Sequence, residues 1–512
     1  MKRILSLLLC ICMLLLCGCS GGESPYVPTG NGLTWEDGNT PLPTESGELQ
    51  EQELVLVYYP ERTMNPYNCT DFTNRALFSL IYQGLFVVDR DYTVSPMLCS
   101  RYTMSDDMRT YTFYLENAFF SDGTRVTIND VAASYQAAME STVYGGRFLH
   151  VDEISLSADG GITFRLDTAY ENFPLLLDVP IVKSTEVAAD RPLGTGPYFL
   201  DQTTGGMRLR RNTAWWSDAK HPLTAASIPL KEAESVTHIR DSFEFDDVGL
   251  VCADPGSHNY ADYRCDYELW DCENGIFLYL GCNVDSDLFS KPAVRAALTH
   301  AIDRDLLVEE YYRGFARSAS LPASPLSPYY SNQLASRYAY DSAKFTQALA
   351  DSYATGAAVK LLVNKDDTLR LRIAREIGQM LTDCGLMVEM LELNGQDYQY
   401  TLSTRTYDLY LGQTKLSANM DLSAFFMKSG TLRYGGMTDP ATYAMCLEAL
   451  ANQGNYYNLH QTVMEDGRLC PILFQSYSVY ATRGLLTGLT PARDNVFFYA
   501  SGRTMAQALA QS

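Results

Sequence analysis

The chain has little of what catalytic and metal-binding proteins commonly use. Among 512 residues there are only six histidines, and no His-Glu-x-x-His pair occurs. No Cys-x-x-Cys pair and no phosphate-binding glycine-rich loop occur either, which excludes the common zinc and nucleotide signatures. His460 is followed by Glu465 and Asp466, which predicts a solvated helix face for this histidine. We therefore expect no enzymatic activity, no cofactor and no metal site.

Positive charge is also scarce. The chain carries 39 Lys and Arg against 61 Asp and Glu, a formal net charge of −22. Nucleic-acid binding requires a basic surface, so we expect no nucleic-acid partner. After the first twenty residues no apolar run is long enough to span a bilayer. The full chain is 46% hydrophobic and 20% charged, which is typical of a globular protein. Its length suits two or three domains.

Disulfide signals are weak. Four of the 13 cysteines lie within the first 19 residues, which leaves nine, an odd number. Cys252, Cys265, Cys272 and Cys282 are close in sequence and could supply one disulfide outside the cell. Most of the others lie in apolar surroundings, where cysteine acts as a small core residue.

The first residues indicate export. Lys2 and Arg3 precede an apolar run from Ile4 to Cys17, which is shorter than the roughly 20 residues of a membrane-spanning helix. The run ends in Leu-Cys-Gly-Cys-Ser at positions 16–20, which resembles the bacterial lipobox and implies that Cys19 carries a lipid. The alternative is an ordinary secretory signal with an incidental cysteine.

Residues 1–18 are therefore predicted to be a signal peptide and 19–53 a lipidated cysteine with a flexible tether. Residues 20–52 are rich in Gly, Ser, Thr, Pro and Glu, a composition that buries too little apolar surface to fold. Two acyl chains are enough for stable membrane attachment. The expected location is the outer side of the cell membrane, either cell-surface or periplasmic.

Strand and helix patterns alternate along the rest of the chain. Residues 110–115 alternate as a half-buried strand, and a helix is predicted from Thr127 to about Met139. Residues 359–363 predict a strand, 369–381 a helical stripe and 386–393 a second strand. A strand–helix–strand unit favours a parallel or mixed sheet with helical cover. The sequence thus predicts an α/β architecture in more than one lobe.

Several segments resemble a known family when they are taken in order. They are Tyr111 to Leu115 with Phe120-Ser-Asp-Gly-Thr124, Leu193-Gly-Thr-Gly-Pro-Tyr198, Asn212 to Trp216, and Lys291 to Leu306. Together they are similar to the extracellular solute-binding proteins of family 5, the peptide-binding receptors of ABC importers. Gly194 and Gly196 are expected to provide positive φ in a kinked connection that Pro197 completes.

This resemblance implies a periplasmic-binding-protein-like fold of type II, with two lobes, a hinge and an inserted domain. Lobe I would comprise residues 54–83, 184–275 and 478–512. The inserted domain II would be 84–183, and lobe III 276–477. The implied function is capture of an oligopeptide or dipeptide, as a monomer, and delivery to permease subunits with a cytoplasmic ATPase. Alternatives are a metal chelate, opine or sugar as the solute, or a sensory surface protein of the same fold.

The resemblance also locates candidate ligand contacts. Peptide-binding members hold the ligand's amino terminus with an aspartate that follows a strand and a tryptophan. Here the corresponding residues 412–421 lack the tryptophan, and Asn419 falls roughly at the aspartate position, with Asp421 two residues later. Lys415 would favour an anionic or neutral ligand, although a solvent-facing lysine at a lobe edge is an equal alternative. Position alone suggests three further candidates, which are Glu61 and Arg62 after the first predicted strand and Tyr477 near the chain's return to lobe I.

Overall fold

The computed structural model describes residues 54–217, 225–254, 263–486, 489 and 491–497. Cys19, the predicted tether and the last residues of predicted lobe I lie outside these ranges. Within them, no helix combines the length and apolar character needed to cross a membrane.

Seventeen strands occur among the described residues. In chain order they are β1 (Leu56–Tyr58), β2 (Phe86–Val88), β3 (Val94–Pro96), β4 (Cys99–Met104), β5 (Thr110–Leu115), β6 (Val151–Leu156), β7 (Ile162–Leu166), β8 (Tyr198–Thr203), β9 (Gly206–Arg211), β10 (Ser227–Glu232), β11 (Leu250–Ala253), β12 (Tyr267–Cys282), β13 (Ala316–Ser318), β14 (Ala358–Asn364), β15 (Met387–Leu393), β16 (Leu409–Lys415) and β17 (Leu469–Thr482).

The α-helices lie mainly in the second half of the described ranges. They are α1 (Phe72–Ala76), α2 (Phe78–Ile81), α3 (Ile128–Glu140), α4 (Val236–Glu244), α5 (Pro292–Ala297), α6 (Arg304–Tyr312), α7 (Asn332–Ala335), α8 (Ser342–Asp351), α9 (Thr368–Asp383), α10 (Gly395–Thr404), α11 (Ser423–Phe426), α12 (Pro440–Ala451) and α13 (Tyr456–Asp466). Short 3₁₀ turns connect several of them, including Gly145–Phe148.

The strands form four sheets in the described part of the chain. One has the order β1-β10-β9-β8, with β1 parallel to β10. The largest has the order β11-β17-β12-β16-β14-β15, with β13 paired to β17. A β2-β3 hairpin and a β4-β5-β7-β6 sheet complete the set. Parallel and antiparallel pairs occur in the same sheets, so the predicted mixed α/β architecture is confirmed.

The predicted strand–helix–strand unit is also confirmed. β14 and β15 pair in parallel from Ala358–Met387 to Asn364–Leu393, and α9 connects them. Ile373, Ile377 and Leu381 are fully buried along one side of α9, as their spacing predicted. The helix begins where the Asp367 side chain accepts the Arg370 backbone N–H at 2.9 Å.

Residues of the predicted inserted domain and of predicted lobe III share one hydrophobic core. Tyr92 and Leu175 belong to the same buried cluster as Phe277 and Tyr410. A separate core surrounds α9 and the parallel strands of the largest sheet. The contact between these two predicted regions is therefore apolar.

Gly194 and Gly196 serve a different purpose from the one predicted, because neither has positive φ. A Cβ on Gly194 would lie 2.2 Å from the Ile81 carbonyl oxygen. A Cβ on Gly196 would lie 2.5 Å from the Ile81 carbonyl carbon. Glycine is required here because the segment passes directly over the backbone of α2.

The prediction of a solvated face for His460 is wrong. His460 is fully buried on α13, in a stripe with Tyr456, Leu459 and Val463. Glu465 and Asp466, five and six residues later, lie about 140° and 240° around the helix from His460, so neither shares the face of the histidine. Neither ring nitrogen has a hydrogen-bond partner, and burial lowers the pKa of His460 to about 3.

All nine described cysteines are free thiols, so the predicted disulfide is absent from the described residues. β17 lies between β11, which carries Cys252, and β12, which carries Cys272, and two strand spacings of about 4.8 Å exceed the reach of a disulfide. Cys272 and Cys282 stand at separate positions of one extended strand. Burial raises the pKa of every one of the nine.

Candidate functional site

Two long antiparallel strands, β12 and β17, run through the largest sheet and carry an irregularity at its centre. Their register shifts between Glu273 and Phe277. Gly275, inside this interval, has a φ of 71°, and a Cβ there would lie 2.6 Å from Arg493 Nη2. Both the backbone conformation and the close approach therefore require glycine. The strand pair is locally bent at this point.

Lys415 lies beside this bend because it ends β16 and pairs with Ile276 of β12. Its ammonium donates a hydrogen bond to the Asp494 carboxylate, and Arg75 Nη2 of α1 lies 3.4 Å from the same carboxylate. Two cations thus share one carboxylate at the junction of three chain segments.

The charges of this cluster are mutually dependent. Burial lowers the pKa of Lys415 to about 7, against the attraction of Asp494 and with the repulsion of Arg75. Burial opposes the charged form of Asp494, but Lys415 and Arg75 hold its pKa at about 2. At neutral pH the Asp494 carboxylate is therefore ionised, and the Lys415 ammonium is close to its own pKa.

A cavity of about 160 Å³ opens beside this cluster. We call it the arginine cavity, since its charged lining consists of Arg75, Arg147, Asp178, Arg493 and Asp494. Arg147 donates a hydrogen bond to Asp178, and its guanidinium carbon lies 4.9 Å from the Tyr144 ring centroid. Three arginines against two aspartates make the wall of the cavity positive.

Arg493 is fixed by a buried network. Its Nη2 donates to the Leu416 carbonyl at 2.7 Å, and its Nη1 donates to the Tyr92 hydroxyl at 3.3 Å. Tyr92 in turn donates to Glu273, and Ser324 donates to Glu273 Oε2 at 2.6 Å. The guanidinium is therefore held in place before any ligand arrives.

Two of the predicted ligand contacts, Arg62 and Tyr477, line a second cavity of about 160 Å³. The Tyr477 ring stacks on Phe72 of α1 with centroids 3.5 Å apart. Arg62 lies 3.8 Å over the Tyr59 ring. Burial raises the pKa of Tyr477, so its hydroxyl stays neutral. Glu61 is oriented towards solvent, with 61% of its side chain exposed.

Asn419 and Asp421 lie elsewhere, where residues 419–421 contact Tyr170 and His150 of the predicted inserted domain. Asn419 is 1% exposed and donates a hydrogen bond to the Tyr170 hydroxyl. Its side-chain oxygen accepts from Ser417 at 2.7 Å, and its backbone carbonyl accepts from Tyr456. The side-chain amide and the backbone carbonyl of Asn419 therefore already have protein partners here.

Asp421 has a protein cation as its partner. His150 Nε2 lies 3.5 Å from Asp421 Oδ2, and the Ser423 backbone N–H donates to Asp421 Oδ1 at 2.8 Å. Burial opposes charge on both residues, yet their mutual attraction raises the pKa of His150 and lowers that of Asp421. Exposed Asp167 also accepts from His150 Nδ1 at 2.9 Å. Sequence reasoning missed His150, because no motif surrounds it.

No group of three or more His, Cys, Asp or Glu side chains in the described ranges could hold a metal ion. Sequence reasoning also missed Arg75, Arg147, Arg493 and Asp494, which build the arginine cavity.

The mixed α/β sheets are those of a periplasmic-binding-protein fold, which solved structures of similar proteins share. Residues 93–433 match the family described as bacterial extracellular solute-binding proteins, family 5 Middle. The chain belongs to this family. It is therefore a solute-binding protein that acts outside the cytoplasm, and not an enzyme.

Three similar proteins differ in the ligands that they bind. The glutathione-binding protein GsiB of Escherichia coli K12 is 25% identical over 352 residues, which cover 65% of this chain and 67% of GsiB. The oligopeptide-binding protein AppA of Bacillus subtilis, solved with a nonapeptide, has a TM-score of 0.62 at 18% identity and covers 89% of this chain and 98% of its own. AgaA of A. tumefaciens R10, solved with agropinic acid, has a TM-score of 0.62 at 20% identity and covers 87% and 95%.

Proposed function

We propose that the chain is the receptor of an ABC importer, anchored to the membrane through a lipid on Cys19, and that it captures short peptides between its lobes. A permease with a cytoplasmic ATPase would receive the solute from the monomeric receptor. Membership of family 5 and the similarity to GsiB support a peptide cargo.

The observation that carries this proposal is the bend in the β12–β17 pair beside the arginine cavity. The irregularity falls where the proposed lobe I range 184–275 meets the lobe III range 276–477. Hinges absorb large φ/ψ changes at a few residues. A rotation at Gly275 would move Lys415 of the proposed lobe III relative to Arg75 of the proposed lobe I, so the contact between the two lobes would open and close there.

The candidate residues Asn419 and Asp421 offer no free carboxylate for the amino terminus of a peptide. A buried ammonium needs a carboxylate partner, but Asp421 is paired with His150 and Asn419 carries no charge. We infer that the amino terminus of a peptide is bound elsewhere in the cleft, or remains in solvent. The same observation favours a second candidate, a non-peptide carboxylate such as an opine.

A ligand-release experiment tests the peptide assignment. The full chain is purified from membranes in detergent and denatured, and the released small molecules are identified by mass spectrometry. Peptides of about two to five residues are expected. Release of opines, sugars or metal chelates only, together with no thermal shift from a peptide library, would contradict the assignment.

A second experiment tests the anchor and the partner. The Cys19→Ser variant is expected in the soluble fraction, whereas the unmodified chain is expected in the membrane fraction. Vesicles that contain the permease and its ATPase should accumulate peptide when the anchored receptor is present. Binding without any uptake would instead indicate a sensory role.

A further inference from the structure

A buried cluster around His150 joins two stretches of the chain that are far apart in sequence. His150 precedes β6, and its Nε2 lies 3.2 Å from Ser423 Oγ and 3.5 Å from Asp421 Oδ2. Its Nδ1 lies 2.9 Å from Asp167 Oδ1. The imidazole therefore lies between one carboxylate of the predicted inserted domain and one of predicted lobe III.

These two carboxylates are the strongest charges that act on His150. Arg147, three residues earlier, is paired with Asp178 instead. The other titratable side chains beside the cluster stay neutral from about pH 5 to about pH 8.5, because burial raises their pKa values. They are Tyr170 after β7, Tyr443 and Cys446 of α12, and Tyr456 of α13. His150 is therefore the member of this cluster whose charge changes over that range.

The contact crosses the boundary at which the lobes are proposed to separate. Tyr111 of the predicted inserted domain shares a hydrophobic core with Tyr198 of predicted lobe I. Predicted lobe III has a core of its own around α9. A rotation at Gly275 would therefore carry His150 away from Asp421 and expose both side chains to water.

We propose that His150 and Asp421 form a pH-sensitive latch, which holds the inserted domain on lobe III while the imidazole is protonated and so favours the closed receptor in acidic surroundings. This inference rests on the proposed function and deepens it, because it specifies how solute capture is regulated. The receptor acts outside the cytoplasm, where the pH of the surroundings reaches it directly. The latch would hold a solute more tightly in acid and weaken as the pH rises.

The direction follows from the change in the surroundings of the imidazole. In the closed contact burial opposes the charged imidazole, but the attraction of Asp421 and Asp167 is stronger and raises the pKa of His150 above its ordinary value of 6.5. In the open receptor water replaces these partners, and the pKa returns towards its ordinary value. Closure therefore takes up a proton. The contribution of the latch is complete below pH 6.5 and is lost as the pH rises through the raised pKa.

Lys415 also titrates at this boundary, with the opposite sign. Burial lowers its pKa to about 7 beside Asp494 and Arg75, so closure near and above pH 7 releases a proton from the lysine. The response of the whole receptor is therefore the sum of two opposed contributions. Substitution of His150 separates them, because a variant without the imidazole retains Lys415.

The test measures the distance between two spin labels on the purified full chain by double electron–electron resonance. The labels are attached through Ser155→Cys on β6 and Ser429→Cys after α11, which replace exposed residues on the two sides of the contact. All nine described native thiols have raised pKa values, so the exposed new thiols react first. The chain without these two substitutions gives the background signal.

Two variants remove the charges of the latch. His150→Gln removes the cation and Asp421→Asn removes the anion, each with little change in side-chain size. His300→Gln is the matched control, because His300 Nδ1 lies 2.7 Å from the Ala339 carbonyl oxygen within predicted lobe III. Each chain is measured at pH 5.5 and at pH 8.5, without solute and with tri-alanine.

We compare the ratio of closed to open receptor in the unmodified chain with the same ratio in His150→Gln. The quotient of the two ratios should be at least about threefold larger at pH 5.5 than at pH 8.5, since one unit of pKa shift corresponds to a tenfold change. His300→Gln should give no such difference. If His150→Gln does not fold, Asp421→Asn provides the reference. The affinity for tri-alanine should follow the same quotient, because the solute selects the closed receptor.

The remaining outcomes separate the two proposals. A quotient that is independent of pH, or an equal response of His300→Gln and His150→Gln, would overturn the latch, and binding of tri-alanine in the same samples would leave peptide capture standing. Closure that depends on pH and on His150, without binding of tri-alanine at either pH, would retain the latch and contradict the peptide assignment. A single label distance in every chain at both pH values would also overturn the latch.

Discussion

Replacement of Asp421 by asparagine should weaken the contact between the predicted inserted domain and predicted lobe III, and most strongly at acidic pH. Asp421 and His150 form a pair that is 3% exposed on the histidine side and 13% on the aspartate side. Removal of one member of a buried pair costs about 3–5 kcal/mol, since the other charge is left without compensation.

The pH dependence follows from the directions of the two pKa shifts. The pKa of His150 is raised above its ordinary value of 6.5. The stability that protonated His150 contributes to the fold is therefore complete below pH 6.5 and is lost as the pH rises through the raised pKa. The pKa of Asp421 is lowered, so the stability that its carboxylate contributes is lost only in strong acid. The effect of the substitution should therefore be largest near pH 5.5. It should fall to that of an ordinary hydrogen bond, about 1 kcal/mol, near pH 8.5.

Scanning calorimetry can measure this difference. With an unfolding entropy of about 2.1 cal/mol/K per residue, a chain of this length changes its Tm by about 1 °C per kcal/mol. The expected loss for Asp421→Asn is thus about 3–5 °C at pH 5.5 and about 1 °C at pH 8.5. Asp167→Asn is the matched control, because Asp167 contacts the same histidine but is 54% exposed. Its loss should stay below about 1 °C.

Two results would refute the reasoning. Equal losses for Asp421→Asn and Asp167→Asn would show that burial of the pair is unimportant. An Asp421→Asn loss that does not decrease between pH 5.5 and pH 8.5 would show that His150 is not the charged partner.

Two further substitutions test other parts of the fold. Gly194→Ala should lower the free energy of unfolding by about 1–3 kcal/mol in urea titrations, because the new Cβ would overlap the Ile81 carbonyl; an unchanged midpoint would contradict the close approach. The pKa of His460 is lowered to about 3, so the unmodified chain loses stability as the pH falls below 6.5, by about 1.4 kcal/mol per unit. His460→Phe should therefore be more stable than the unmodified chain at pH 4.5, and equal acid sensitivity of both would contradict the burial of a neutral imidazole.

Local patterns allowed much of the fold to be predicted. The stripe of Ile373, Ile377 and Leu381 has helical spacing, so its burial depends on residues a few positions apart. The Gly194–Pro197 motif was found, but its reason was not, since the close approach to Ile81 joins segments that are distant in sequence. His460 was misplaced because it lies on the apolar stripe of its helix, whereas the nearby acidic residues lie on other faces.

The candidate site was predicted only in part for the same reason. Lys415 and Tyr477 could be chosen from position in the resemblance, but Asp494, the partner of Lys415, lies 79 residues away. His150 and Ser423 are 273 residues apart. Contacts of this kind depend on topology and have no local signature. The roles of Glu61, Arg62, Lys415, Asn419, Asp421 and Tyr477 in ligand binding stay predictions.

The buried thiols have a consequence for where this receptor can work. Thiolate is the form that reacts with oxidants and disulfides, and a raised pKa makes it scarce at neutral pH. The nine cysteines in the described part of the chain are all free thiols, so no disulfide holds the fold together in these ranges. We expect the receptor to keep the same solute-binding surface in anoxic and in aerated surroundings.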